Sequence, residues 1–274
     1  MKAILFSLLT LLLFGAMRPP RKPAPPATLP LDGSFDNFQQ VWQENTNDKI
    51  HRVSVPQTHR HVHIKCSVDS VGGTIKMTIY EGRNNKTLLA TKTLAIQKQK
   101  GETRLTIDGQ NPVRVQLRPD GFDTEFGQVR LHGDTLWVNH PDLVQINGGP
   151  AQAYRLLRCR LFTGWLQYPL PSKPDSTYFQ NNLTMHDQGG MVTLNIPGAK
   201  YTAELTQLVY GQKIKLMKLA IYEMPMDSVD INSYSTSYTW TSPETKRIGI
   251  NLRRIVSGWT LVEKGYLNRN TLNR

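Results

Sequence analysis

Alternation of apolar and polar side chains at every second position recurs through this chain, and that period constrains the fold more than any other feature. HVHIKCSV (61–68), TIKMTIYEG (74–82), LLATKTLAIQ (88–97), ETRLTIDG (102–109), VRVQLR (113–118), GQVRLHG (127–133) and DTLWVN (134–139) all show it, with Gly, Asp, Asn or Pro between them. Period two marks a half-buried strand, and turn residues at such short intervals mark hairpins. GGMVTLNI, KYTAELTQLVYG, IKLMKLAIYE, YSTSYTWTS, RIGINLRR and SGWTLVE extend the pattern past residue 175. The expectation is an all-β protein built as an antiparallel meander. Such a sheet removes its exposed edges most completely by closing into a barrel.

One helix is expected. SFDNFQQVWQEN (34–45) puts Phe38, Val41 and Trp42 on one side and offers Ser34 or Asp36 as a cap. Upstream, residues 1–17 have the layout of a secretory signal peptide: an early lysine, then an apolar run from Ala3 to Ala16. That run is shorter than the ~20 residues a membrane-spanning helix needs. Residues 18–30 are proline-rich and read as an extended spacer, since proline forms neither helix nor ladder bonds. The barrel domain is expected over 31–168. PLPSKPDS (169–176) reads as a linker, and 175–274 as a second β-rich domain or a partial repeat. A repeat has two supports: IKMTIYE (75–81) echoes MKLAIYE (217–223), and RLFTGW (160–165) echoes RIVSGW (254–259). The two echoes are differently spaced, and Tyr, Ile and Gly-Trp are also ordinary β vocabulary.

The formal charge of +12 favours anionic partners: nucleic acid, acidic glycans or a lipid headgroup surface. Export to the periplasm or the medium removes nucleic acid. An anionic membrane surface, acidic envelope components or an envelope protein remain, with the basic residues spread along the chain as on an ordinary soluble surface. Cys66 and Cys159 are the only cysteines, and the sequence leaves open whether they bridge or stay free.

Three stretches invite a chemical reading. On a strand, His59, His61 and His63 project from one face and Val62 and Ile64 from the other, the natural core side. Three imidazoles on one straight strand are hard to gather around one ion, so no metal site is expected from the triplet. IYEGR places Tyr80, Glu81 and Arg83 where a strand runs out. There an aromatic surface, an acceptor and a forked donor can hold a ligand at a barrel mouth, or form an ordinary hairpin tip. Tyr80 and Glu81 alternate, so only one of them faces the lumen: Glu81 if the lumen is the side of Met77 and Ile79, Tyr80 if it is the side of Lys76 and Thr78. HDQGGM (186–191) reads as a glycine-bearing hairpin turn, because no nucleophile motif accompanies it; catalytic residues are not identifiable. Gly164-Trp165 and Gly258-Trp259 read as structural plugs more than as stacking platforms.

GSFDNFQQVWQENTNDKIHRVSVPQTHRHVHIKC resembles the opening of the CpcT/CpeT-like chromophore (phycobiliprotein) lyases in Gly33, Phe35, Asp36, Asn37, Gln40, His59 and His63. The following MTIYEGRNNKTLLATKTLAI is similar to that family's second and third strands at Tyr80, Glu81, Asn84 and Asn85. The likeness covers residues 32–97. It implies a calycin (lipocalin-like) barrel and a small apolar or tetrapyrrole-like ligand; taken with the strand-end reading of Arg83, the candidate ligand-binding residues are Tyr80, Glu81, Arg83, His59 and His63. The family's Tyr-Arg-Gln-Arg stretch is replaced by LLATKT here and its later Gly-Cys is missing, so bilin transfer, and with it lyase activity, is not expected. No resident cofactor is implied. The other reading of the same strands is a cell-envelope interaction or structural module without a small-molecule ligand. A pocket lined by Tyr and Arg separates the first from the second, and a barrel filled by its own side chains the second from the first.

The N-terminal reading is checked on the mature protein. Its first residue is expected to fall at positions 15–18, and intact Met1 on soluble cytoplasmic protein overturns the export reading.

Overall fold

A computed structural model describes residues 29–51, 59–69, 73–82, 87–99, 101–144, 153–170, 173–196, 198–210, 214–230, 233–252 and 255–263. The stretch read as a signal peptide and most of that read as a spacer lie outside them. Strands β1 (Gly33–Asp36), β2 (Val62–Asp69), β3 (Thr74–Glu81), β4 (Leu88–Gln99), β5 (Glu102–Ile107), β6 (Val113–Arg118), β7 (Gly121–Thr124), β8 (Gly127–His132), β9 (Thr135–Asn139) and β10 (Tyr154–Arg158) form a closed antiparallel barrel. From β2 to β10 each strand pairs with the next, as a meander should. β1 then pairs with both β2 and β10 and closes the ring. The all-β barrel read from the sequence is therefore present, and it has ten strands.

The alternation sorts side chains as expected. In β3, Ile75, Met77 and Ile79 are buried while Lys76 is exposed; in β9, Leu136 and Val138 are buried while Trp137 is exposed. The inward set, including Phe35, Ile64, Ile79, Leu94, Leu105, Phe122, Leu136 and Leu156, packs into one apolar cluster that fills the interior. The lumen is thus the side of Met77 and Ile79. Each such residue buried contributes roughly 1.5–3 kcal/mol of transfer free energy.

Helix α1 (Phe38–His51) follows β1, which takes Ser34 and Asp36, and of the two candidate caps Asp36 serves: its Oδ1 accepts the Phe38 N–H at 2.7 Å. A four-residue strand leaves almost no local period, so only its partners at a distance reveal it. The helix contacts β10. A single turn of helix, α2 (Pro141–Val144), follows β9.

The second unit begins directly after the barrel. β11 (Leu161–Leu170), β12 (Lys173–His186), β17 (Arg247–Leu252) and β18 (Ile255–Leu261) form one sheet in the order β12-β11-β18-β17. β13 (Gln188–Ile196), β14 (Ala199–Tyr210), β15 (Ile214–Tyr222) and β16 (Ser237–Thr241) form the other in sequence order. Phe162, Leu166, Leu194, Leu205, Met217, Leu219, Ile250 and Trp259 pack between them. This corrects one expectation. β11 pairs with β12 and β18, so the boundary lies at Cys159-Arg160 rather than at 168–175, and the proline-rich stretch joins two strands of one sheet. The second β-rich unit is a sandwich.

The two Gly-Trp pairs prove to be neighbours. Gly164 lies opposite Trp259 and Trp165 opposite Gly258 on β11 and β18. Each indole covers the other strand's glycine, Trp259 on the core side and Trp165 on the outer side. A Cβ on Gly164 would stand 2.4 Å from the Trp259 ring, which is buried and cannot move. One on Gly258 would stand 2.9 Å from Trp165 Nε1, in a half-exposed ring that can. Gly164→Ala is therefore expected to destabilise the protein by about 1–3 kcal/mol, and Gly258→Ala by less. Urea unfolding checks both, and equal losses overturn the account.

Candidate functional site

The register of β1 against β2 sets Asp36 opposite His63. Phe35 and Ile64 on these strands face the lumen, so Asp36 and His63 face outward. Neither reaches solvent, because the sandwich covers them: His186, the last residue of β12, lies against His63 with ring centroids 4.8 Å apart. Cys159, in the link between the two units, places its Sγ 3.9 Å from His63 Nδ1. Asp36, His61, His63, Cys159 and His186 thus form one buried polar junction between barrel and sandwich.

Asp36 organises it. Its Oδ1 accepts the N–H of Phe38, the first helical residue, at 2.7 Å and a hydrogen bond from His61 Nε2 at 2.8 Å, while Oδ2 meets His63 Nδ1 at 3.2 Å. Burial acts to raise its carboxyl, but the charge of His61 and the hydrogen bonds from His61 and His63 outweigh burial. They hold it well below the usual carboxylate range. Asn37 continues the clasp, accepting the Val62 N–H at 2.7 Å and donating to the Arg60 carbonyl at 2.9 Å. Burial, with His63 beside it, pushes His186 down to about 3, so it is neutral at pH 7.

A second clasp holds the link. Asp187 accepts hydrogen bonds from Arg160 N at 2.9 Å, Arg160 Nε at 2.5 Å and Gln207 Nε2 at 2.6 Å. Burial raises its carboxyl and these donors oppose the rise. HDQGG is therefore not a hairpin. β12 and β13 belong to different sheets, and the chain turns a corner between them at Asp187. Gly189 takes φ +78° there, and a Cβ on it would stand 2.6 Å from the Phe38 ring, so the corner presses directly on α1.

The residues singled out in the sequence are not brought together. His59 bridges α1 to the start of β10, with Nδ1 2.6 Å from Glu44 Oε1 and Nε2 3.1 Å from the Ala153 carbonyl. Only His63 of the three histidines lies in a strand. Tyr80 sits half-buried on the outer side of β3, with Lys65 Nζ 5.1 Å from its ring centre. Glu81 is half-exposed at the strand end and paired with Arg60. Arg83 lies outside the described residues. Cys66 is inside the barrel and Cys159 outside it, so the two remain free thiols.

The junction does not assemble a nucleophile. A cysteine–histidine–carboxylate relay needs thiol and carboxylate on different ring nitrogens, whereas Cys159 and Asp36 both lie on Nδ1 of His63. Burial, with Asp36 and Asp187 nearby, also pushes the Cys159 thiol well above its ordinary value, away from thiolate.

The sandwich carries a different surface. On the outer face of its first sheet, Trp165 and Phe179 stack with centroids 6.0 Å apart and rings 24° from parallel. Beside Trp165, across β18 and β17, lie Gly258 and then its partner Gly249. A large ring followed by two missing side chains makes a trough of about 360 Å³, with Arg247 and Thr260 on its border. On the outer face of the second sheet, Lys218 Nζ lies 5.2 Å from the Tyr238 ring and 5.6 Å from that of Trp240.

No family model matches the chain, no curated protein matches it, and no solved structure matches it.

Asp187→Ala leaves the Arg160 guanidinium without its buried partner and is expected to cost about 3–5 kcal/mol. The pair Arg160→Met with Asp187→Leu is expected to cost less than the single change. Equilibrium unfolding of the three proteins checks the order, and additive losses overturn it.

Proposed function

We propose that the protein is an exported, non-catalytic binding module of the cell envelope. It holds acidic glycan on the outer face of its C-terminal sandwich and uses the barrel as scaffold. The observation that carries this reading is the row Phe179, Trp165, Gly258, Gly249 across four adjacent strands, with Arg247 at its edge. A sugar ring presents a flat face of C–H groups that stacks on an exposed indole. The glycine trough gives the next residue of an extended chain room to lie close to the sheet, and a guanidinium pairs with a carboxylate or sulfate in forked geometry. The net charge of +12 draws such a polymer in.

The filled lumen weighs against the small-ligand reading. A barrel that carries a tetrapyrrole needs space among its inward side chains, and here Phe35, Ile79, Leu94, Leu105, Phe122 and Leu136 occupy it. Tyr80 and Glu81 also fail to line one cavity: Tyr80 faces out and Glu81 sits at the rim with Arg60.

Affinity electrophoresis separates the readings. The protein is expected to be retarded by polygalacturonate and not by dextran, and Trp165→Ala, which leaves the charge unchanged, is expected to weaken retardation at least fivefold. Retardation that persists in Trp165→Ala reduces the interaction to bulk charge and overturns the site. A one-to-one complex with biliverdin or haem, followed by absorbance, returns the function to the barrel.

A further inference from the structure

The junction gathers three of the softer ligand atoms a protein can offer. One nitrogen from each of His63 and His186 and the Cys159 Sγ all lie within 4.8 Å of one another. We infer that His63, Cys159 and His186 form a binding site for a zinc-class divalent cation that ties the barrel to the sandwich.

Bonds of about 2.0 Å to nitrogen and 2.3 Å to sulfur around a tetrahedral ion put two nitrogens roughly 3.3 Å apart and a nitrogen and a sulfur roughly 3.5 Å apart. The His63 Nδ1 to Cys159 Sγ separation is 3.9 Å, so these two need to close by only about 0.4 Å. His186 stands at the end of β12, beside the Asp187 corner, within 4.8 Å of the other two atoms, and its ring must close by about 1–1.5 Å to complete the set. All three side chains are out of bulk water or nearly so, which suits a nitrogen–sulfur set and disfavours hydrated ions such as Mg²⁺.

Charge also fits. Binding releases the Cys159 thiol proton to solvent and leaves a thiolate. The ion's two positive charges are then matched by that thiolate and by the Asp36 carboxylate, whose 3.2 Å contact with His63 Nδ1 gives way to the ion while its bonds from the Phe38 N–H and His61 remain. Binding costs His186 the 3.3 Å hydrogen bond that its Nδ1 accepts from the Gln188 N–H, whichever ring nitrogen takes the ion. The groups facing the site from the packed elements are Asp36 and His61 from the barrel side, Lys65 on β2, and Arg160 with Asp187 from the link and corner. Arg160 is held by Asp187, which leaves the thiolate to the ion.

The three ligands come from β2, the inter-unit link and the end of β12, so occupancy fastens the two units at the point where the chain passes between them. Of the histidine run only His63 takes part. His59 is engaged with Glu44 and Ala153 and plays no part.

The test is cobalt substitution of the full-length protein with its thiols reduced, as verified by thiol titration. One equivalent of Co²⁺ is expected to give a thiolate-to-metal charge-transfer band in the near ultraviolet that one equivalent of Zn²⁺ displaces. Cys159→Ser, a near-isosteric change, is expected to abolish the band and weaken zinc binding at least tenfold; His63→Ala and His186→Ala weaken it at least as much. His59→Ala leaves it unchanged. Circular dichroism confirms that each variant is folded. Absence of the band in the folded, reduced wild type overturns the proposal, as does undiminished zinc affinity in Cys159→Ser. A loss on His59→Ala equal to that on His63→Ala assigns the ion to the histidine run instead and overturns it too.

Discussion

A four-residue strand closes the barrel, and the buried carboxylate at its end is the constraint on which the rest depends. β1 supplies the last ladder on both sides, so without it β2 and β10 are open edges. Its register sends Phe35 into the core and Asp36 outward. A carboxylate out of water must be met by donors or the fold loses more than closure gains. The Phe38 N–H, His61 and His63 meet it. The same three bonds fix where α1 starts, how β2 enters the sheet and which way His63 turns. One polar residue therefore couples barrel closure, helix placement and the floor of the junction.

The junction makes the two units a single object. Cys159 and Arg160 are the whole connection, and both are held: Cys159 N–H by the Ser34 carbonyl at 2.8 Å and Arg160 by Asp187. The corner at Asp187 also packs on α1 through Gly189. Such a link has no slack to act as a hinge. A scaffold that presents a polymer-binding face gains from this rigidity, since a surface fixed in space loses no orientational freedom on binding.

How much of this was legible in the sequence follows from the range of the interactions. Period-two runs announced the strands because alternation is local, and β3, β9 and β17 bury alternate residues of the runs it named. GSFD was read into the helix because a strand of four residues is recognisable only by its partners, one in sequence and one more than a hundred residues away. PLPSKPDS was read as a boundary because proline interrupts ladders. Pro169 instead sits at a register shift near the end of β11, a place where a strand tolerates it. The junction was illegible for a plainer reason: positions 36, 63, 159 and 186 meet only through the closed fold, and HDQGG taken alone is an ordinary turn sequence.

The Gly-Trp echo shows what such a repeat signifies when it is not a duplication. Two strands that are neighbours in an antiparallel sheet run past each other, so a Gly-Trp on one and a Gly-Trp on the other place each indole on the partner's glycine. The reciprocal arrangement puts one ring in the core and one on the surface. The inner ring, Trp259, fills space that Gly164 leaves open. The outer ring, Trp165, rests flat against Gly258 and stays half-exposed, where it stacks on Phe179. A tryptophan held flat on a sheet costs apolar exposure that packing alone would avoid, because either ring inward would serve the core. Its position beside a second glycine and Arg247 leaves an aromatic ring at the sheet surface, bordered by a cation.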